Sequence, residues 1–181
     1  MRLFAAIIPP PEILDEVAAA LASVAGLVEG VRFPDRATWH LTLAFYGDVP
    51  ERVLPDLEER LARAAARHPV KRVAFTGAGA FAKRVLWLGL TGDPLVRLAA
   101  SASAAGRRAG AVQTDDKPFR PHLTVGRTRH PTDLRPLVEA LSSFAGSSWS
   151  ADAVDLVRSH LGASVRYESL GRWALAPDER G

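Results

Sequence analysis

Two short stretches, "WHLTLAFYG" at residues 39–47 and "FRPHLTVGR" at residues 119–127, each place a histidine two positions before a threonine in an apolar run. Along a β-strand, positions i and i+2 point to the same face. His40 and Thr42 therefore share one face, with Leu41, Leu43 and Phe45 on the other. His122 and Thr124 share a face in the same way, with Leu123 and Val125 behind them. Two imidazoles with an unperturbed pKa of about 6.5 can hold one proton between them near neutral pH, and so act as general acid and general base. If the two faces meet, the histidines flank one reacting atom and the hydroxyls donate hydrogen bonds to the oxygens around it. That arrangement suits in-line displacement at phosphorus. It needs no metal, and no carboxylate cluster lies near either motif to hold one. The chain has no cysteine, which excludes thiolate zinc sites, disulfides and cysteine nucleophiles.

For the two faces to meet, the strands that carry them must be placed equivalently, and the sequence repeats on that plan. Shifting the chain so that His40-Leu41-Thr42 falls on His122-Leu123-Thr124 also lays Arg2-Leu3-Phe4 on Arg84-Val85-Leu86. Each half opens with a basic residue and an apolar strand. Pro11 and Glu12 then start a helical spacing of Ile13, Val17, Leu21 and Val24. In the second half Asp93 and Pro94 supply an N-cap and first helical position before Leu95, Leu98 and Ala102. Residues 51–67 and 132–145 read as amphipathic helices, with Pro55 and Pro136 in their first turns. Strands are expected at 70–76, 151–159 and 165–175. The fold class is α+β: two lobes related by an approximate two-fold axis, each a mostly antiparallel sheet backed by helices, with a groove between them. The expected organisation is a single domain, 1–181, made of two repeats spanning roughly 1–80 and 81–181. Their boundary is placed near Gly77–Lys83, where glycines and alanines replace the periodic pattern.

The bulk properties fit this plan. A chain of 181 residues, 48% hydrophobic and 24% charged, can bury a core without staples. A net charge of +3 is compatible with a phosphate-bearing ligand and weak as a sign of nucleic acid. Arg2–Ile8 reads as a strand rather than a signal peptide, and no apolar run is long enough to span a bilayer. A cytoplasmic monomer without membrane contact is expected.

The two "HLT" motifs, with the flanks "WHLTLAFYG" and "FRPHLTVGR", resemble the paired H-x-T-x motifs of the 2H phosphoesterase superfamily. Within it the chain is similar to the RNA 2′,3′-cyclic phosphodiesterases, historically called 2′-5′ RNA ligases (LigT-like). "RLFAAIIPP", "RVLWLGL" and "YESLGRWAL" extend the likeness over nearly the whole chain. The resemblance implies hydrolysis of RNA 2′,3′-cyclic phosphate ends to 2′-phosphates, without ATP, metal or other cofactor, and reversible 2′-5′ ligation by the same residues. It implies RNA ending in a 2′,3′-cyclic phosphate as partner, tRNA fragments among them. His40 and His122 carry over as catalytic residues, and Thr42 and Thr124 as phosphate ligands. His40 is assigned as acid and His122 as base, the near-symmetry leaving the reverse open. Arg127 matches an arginine after the second motif and would clamp phosphate or substrate, provided the strand bends at Gly126. The same chemistry on small cyclic nucleotides or 2′-5′ oligonucleotides, or a non-catalytic RNA-end binder, are the alternatives.

Tyr46 shares parity with His40 and either stacks a base in the groove or ends its strand half-exposed. By parity Phe45, Trp39 and Phe119 are expected in the core, and Trp87, Trp149 and Trp173 as core filling. His68, His130 and His160 read as surface or structural residues. The "SASAAGRRAG" segment reads as a helix end with a basic turn, since it lacks the lysine-serine pair and preceding strand of a phosphate loop.

Overall fold

The computed structural model describes residues 1–111 and 117–179. Among these, nine strands and four α-helices follow the order β1 (Arg2–Ile7), α1 (Pro11–Ala22), β2 (Val31–Arg32), β3 (Leu41–Asp48), α2 (Leu54–Ala66), β4 (Lys71–Phe81), β5 (Val85–Gly92), α3 (Val96–Ala109), β6 (Leu123–Thr128), α4 (Arg135–Ala140), β7 (Trp149–Ala151), β8 (Ala153–His160) and β9 (Arg166–Ala174). All strand pairs are antiparallel, in the order β7-β4-β5-β6-β3-β1-β8-β9, with β2 paired to the outside of this path on β6.

That order is symmetric about its centre. Two four-stranded halves meet at β6 and β3, where the ladder holds the single pair Leu41–Leu123. Both leucines are essentially fully buried. Beyond that pair the halves diverge, and the divergence opens the groove. The helices cover the opposite face: α3 lies on β3, α2 on α3 and on β8–β9, and α4 on β4. Helix α1 buries Ile13, Val17 and Leu21, the stripe that its spacing implied.

In each repeat one strand after the second helix lies in the other repeat's half. β4 follows α2 but pairs with β5, and β8, which follows α4 and the short β7, pairs with β1. The Gly77–Lys83 segment, where the boundary between repeats is placed, is the end of an 11-residue strand and a tight hairpin, with Ala82 and Lys83 both at positive φ (51° and 55°). Turns of that geometry match the twist of paired strands, so β4 passes straight into β5. One helix reading shifts: the 132–145 helix contracts to six residues, Arg135–Ala140. "SASAAGRRAG" is the end of α3, as expected, with Arg107 and Arg108 in the last turn and a stop at Gly110 with φ 84°.

Candidate active site

Each catalytic candidate stands immediately beside the one ladder pair that joins the halves. Extending the Leu41–Leu123 register by one residue either way sets His40 beside Thr124 and Thr42 beside His122. The four polar side chains thus lie around the pseudo-two-fold axis on the face opposite the two buried leucines, and all four line one groove of about 580 Å³.

Each imidazole is oriented by the backbone two residues earlier. His40 Nδ1 lies 2.7 Å from the Thr38 carbonyl, and His122 Nδ1 lies 2.7 Å from the Arg120 carbonyl. A carbonyl only accepts, so in both rings Nδ1 carries the hydrogen and Nε2 is left for chemistry. In the free site the Thr42 hydroxyl donates to His40 Nε2 over 2.9 Å. Aromatic rings fix both planes. His40 sits 4.7 Å from Phe4 and 5.3 Å from Tyr167, centroid to centroid; His122 sits 5.1 Å from Phe81 and 6.3 Å from Trp87. Trp87, expected in the core, stands instead on the groove face beside Thr124, its partner across β5–β6.

The surroundings of His40 act on its charge. Burial holds the His40 pKa below the ordinary 6.5; the Thr38 carbonyl opposes this by favouring the charged ring, and the positive charges of Arg127 and His122 add to the lowering.

Two bulges decide which neighbours reach the groove. On β6, Leu86 pairs with Gly126 but Trp87 with Thr124, leaving Val125 as the extra residue. A bulge reverses the alternation beyond it, so Arg127 turns onto the face of His122 and Thr124 and lines the groove. The bend foreseen at Gly126 falls one residue earlier. On β3, Ala5 pairs with Ala44 but Ala6 with Thr42, leaving Leu43 extra. Leu43 falls on Val125 under the shift that superposes the two motifs.

The β3 bulge at Leu43 corrects the reading of Tyr46. Its side chain is fully buried on the helix side, where the hydroxyl donates to the Ala102 carbonyl of α3 over 2.9 Å, and burial raises its pKa. Phe45 takes the groove position instead, with the Arg2 guanidinium 4.9 Å over its ring. Plain alternation assigned both residues to the wrong face, because Leu43 carries no sign of a bulge. Trp39 is buried as expected, its indole N–H donating to the Pro34 carbonyl. Phe119 packs against the core, as its parity implied.

The groove is lopsided. The half containing β6 supplies His122, Thr124 and Arg127, whereas the half containing β3 and its flanking loop supply Arg2, Phe4, Arg32, Phe33, Ser159 and Tyr167 among others. Of these Arg2, Phe4, Arg32 and Tyr167 escaped the sequence reading; only the basic residue opening the first strand was a signal for any of them. The remaining histidines lie outside the groove lining. His68 bonds Ser101 at 2.8 Å, and His160 pairs with Glu168 at 2.7 Å across β8–β9. Among the described residues, no three histidine or acidic side chains converge as a metal site, and no helix is long and apolar enough to cross a membrane.

Known proteins share both the sequence pattern and the architecture. The model of the 2′-5′ RNA ligase superfamily matches residues 9–163. The chain is 37% identical over 134 residues to the RNA 2′,3′-cyclic phosphodiesterase of Archaeoglobus fulgidus, an alignment covering 71% of this chain and 73% of that one. It is 34% identical over 177 residues to the protein of the same name from Thermus thermophilus, covering 89% and 83%. A crystal structure of E. coli LigT complexed with 3′-AMP superposes with a TM-score of 0.79 at 30% identity, over 96% of this chain and 97% of that one.

Proposed function

Because the chain belongs to the 2′-5′ RNA ligase superfamily, we propose that it hydrolyses RNA 2′,3′-cyclic phosphate ends to 2′-phosphates by paired-histidine acid–base catalysis. The observation that carries this reading is the set of two Nε2 atoms and two threonine hydroxyls around the Leu41–Leu123 pair. The names of the Archaeoglobus and Thermus relatives support the substrate.

The lopsided groove supports the roles. In the cyclic ester both the 2′ and 3′ oxygens belong to the ribose, so the nucleoside must lie on the side of the departing oxygen. The groove is more extensively walled on the side of β3 and its loop, which places the ribose beside His40. His122 Nε2 then takes a proton from water, whose oxygen attacks phosphorus from the opposite side. The bond to the 3′ oxygen breaks, and His40 Nε2 delivers its proton there, leaving a 2′-phosphate and a free 3′-hydroxyl. Binding the anionic ester favours the imidazolium form of His40, and its lowered pKa makes that imidazolium a readier donor. Thr42 and Thr124 donate to the non-bridging oxygens, and Arg127 offsets the charge that grows on them. An RNA 5′-hydroxyl entering in place of water would give a 2′-5′ linkage by the same proton transfers.

Product analysis of a defined RNA with a 2′,3′-cyclic phosphate end tests the reading: a 2′-phosphate is expected, and a 3′-phosphate or no hydrolysis would overturn it. His40→Ala and His122→Ala should each lower turnover by roughly a thousandfold. A cyclic substrate with sulfur at the 3′ bridging position, a leaving group that needs no proton, should restore much of the His40→Ala rate and little of the His122→Ala rate. The opposite pattern would exchange the two roles.

A further inference from the structure

Strand β2 is two residues long, and it sets Arg32 directly opposite Arg127 on β6. Directly opposed residues of an antiparallel pair carry their side chains on one face, where like charges destabilise the pairing. Both guanidiniums line the groove. Neither forms an ion pair among the described residues. Asp35, the carboxylate in the groove lining, accepts a hydrogen bond from the Ala37 N–H. Arg2 adds a third guanidinium at the same groove. A cyclic phosphodiester carries one negative charge, and Arg127, beyond the bulge from Thr124, is placed to answer it. Arg32 and Arg2 leave positive charge over on the side where the nucleoside would lie.

We propose that Arg32 binds a second phosphate, the phosphodiester that joins the terminal nucleotide of the RNA to the one before it. The groove is on this view built for the end of a chain rather than for a cyclic mononucleotide. The inference rests on the phosphodiesterase reading above and specifies its substrate. It also accounts for β2: two backbone pairs hold the loop ahead of His40 against β6 and aim an arginine that would otherwise stand in solvent.

The test compares kcat/KM for cytidine 2′,3′-cyclic phosphate with kcat/KM for the same nucleotide carrying one further nucleotide on its 5′ side. The wild-type protein should prefer the dinucleotide. Arg32→Ala should cut that preference about tenfold, the size of one charge-assisted contact, and Arg32→Lys should keep more of it. Arg36→Ala, which removes an exposed arginine paired with Asp15, should leave the ratio where it was. Equal losses on both substrates would show that Arg32 serves the reacting phosphate and would overturn the proposal, as would a wild-type protein with no preference. A wild-type protein that hydrolyses neither would sink the phosphodiesterase reading and this inference together.

Discussion

His40 and His122 have the same tautomer, the same kind of backbone anchor and two aromatic neighbours each. Burial depresses the pKa of His40 below 6.5. The sign has two consequences. A histidine whose folded pKa is lowered favours the neutral form, so its contribution to stability is present above about 6.5 and is lost as pH falls below that value. Its titration must also respond to charge in the groove. In the free protein, the His40 ring resonance should titrate below 6.5; Arg127→Ala should move the midpoint upward by removing a nearby cation, and bound inorganic phosphate should move it upward by adding an anion. An NMR titration with a midpoint at or above 6.5 in the free wild-type protein would contradict this account. At this scale the sequence was most legible: a histidine and threonine two apart, repeated, marked the four side chains that line one groove. What it concealed was the burial of His40, since the rings of Phe4 and Tyr167 beside it come from strands distant in the chain.

At the scale of the strand, alternation is the rule by which a sequence reveals faces; β3 breaks it twice, at Leu43 and at Tyr46, and β6 once, at Val125. The extra residues next to the two motifs, Leu43 and Val125, are ordinary apolar residues of buried strands, so nothing in their type announces a bulge. Arg127 could be placed because the glycine before it suggested a bend; Phe45 had no such neighbour and was lost to Tyr46. A glycine does a different task on β4. A Cβ on Gly79 would stand 2.2 Å from Trp87 Cζ2, so only glycine leaves room for the indole where it packs beside His122. The indole N–H is buried without a hydrogen-bond partner among the described residues, and packing alone seats the ring. Gly79→Ala should push the indole toward His122 and lower kcat about tenfold, an effect of the order expected for a displaced catalytic group. Made in a Trp87→Leu background, the same alanine should cost nothing further, because the clash is gone. An undiminished loss in that background would mean that Gly79 serves something other than the indole.

Across the whole molecule the main sheet is joined at its centre by a single ladder pair, and the site is centred on it. Leu123→Ala removes a fully buried side chain at that pair and should destabilise the protein by roughly 3 kcal/mol, read as a shift of the denaturant midpoint. Because His122 and Thr124 flank the deletion, activity should fall beyond what the unfolded fraction explains. A variant of unchanged specific activity per folded molecule would show that the pair does not set the geometry of the site. The α+β class, the antiparallel halves and the groove between them were readable from the order of strands and helices. The crossing of β4 and β8 was not, because which strand a strand joins depends on edges left open elsewhere in the fold.

That crossing changes what the peptide bond between the repeats is needed for. A cut in the hairpin at Ala82–Lys83 leaves the first fragment holding β4, which pairs with β5 and β7 of the second. The second fragment holds β8, which pairs with β1 of the first. Each piece keeps a strand that belongs in the other's half, and each keeps one of the two groove histidines, His40 or His122. The groove is held together as a clasp of two interlocked pieces, by sheet edges rather than by the continuity of the chain.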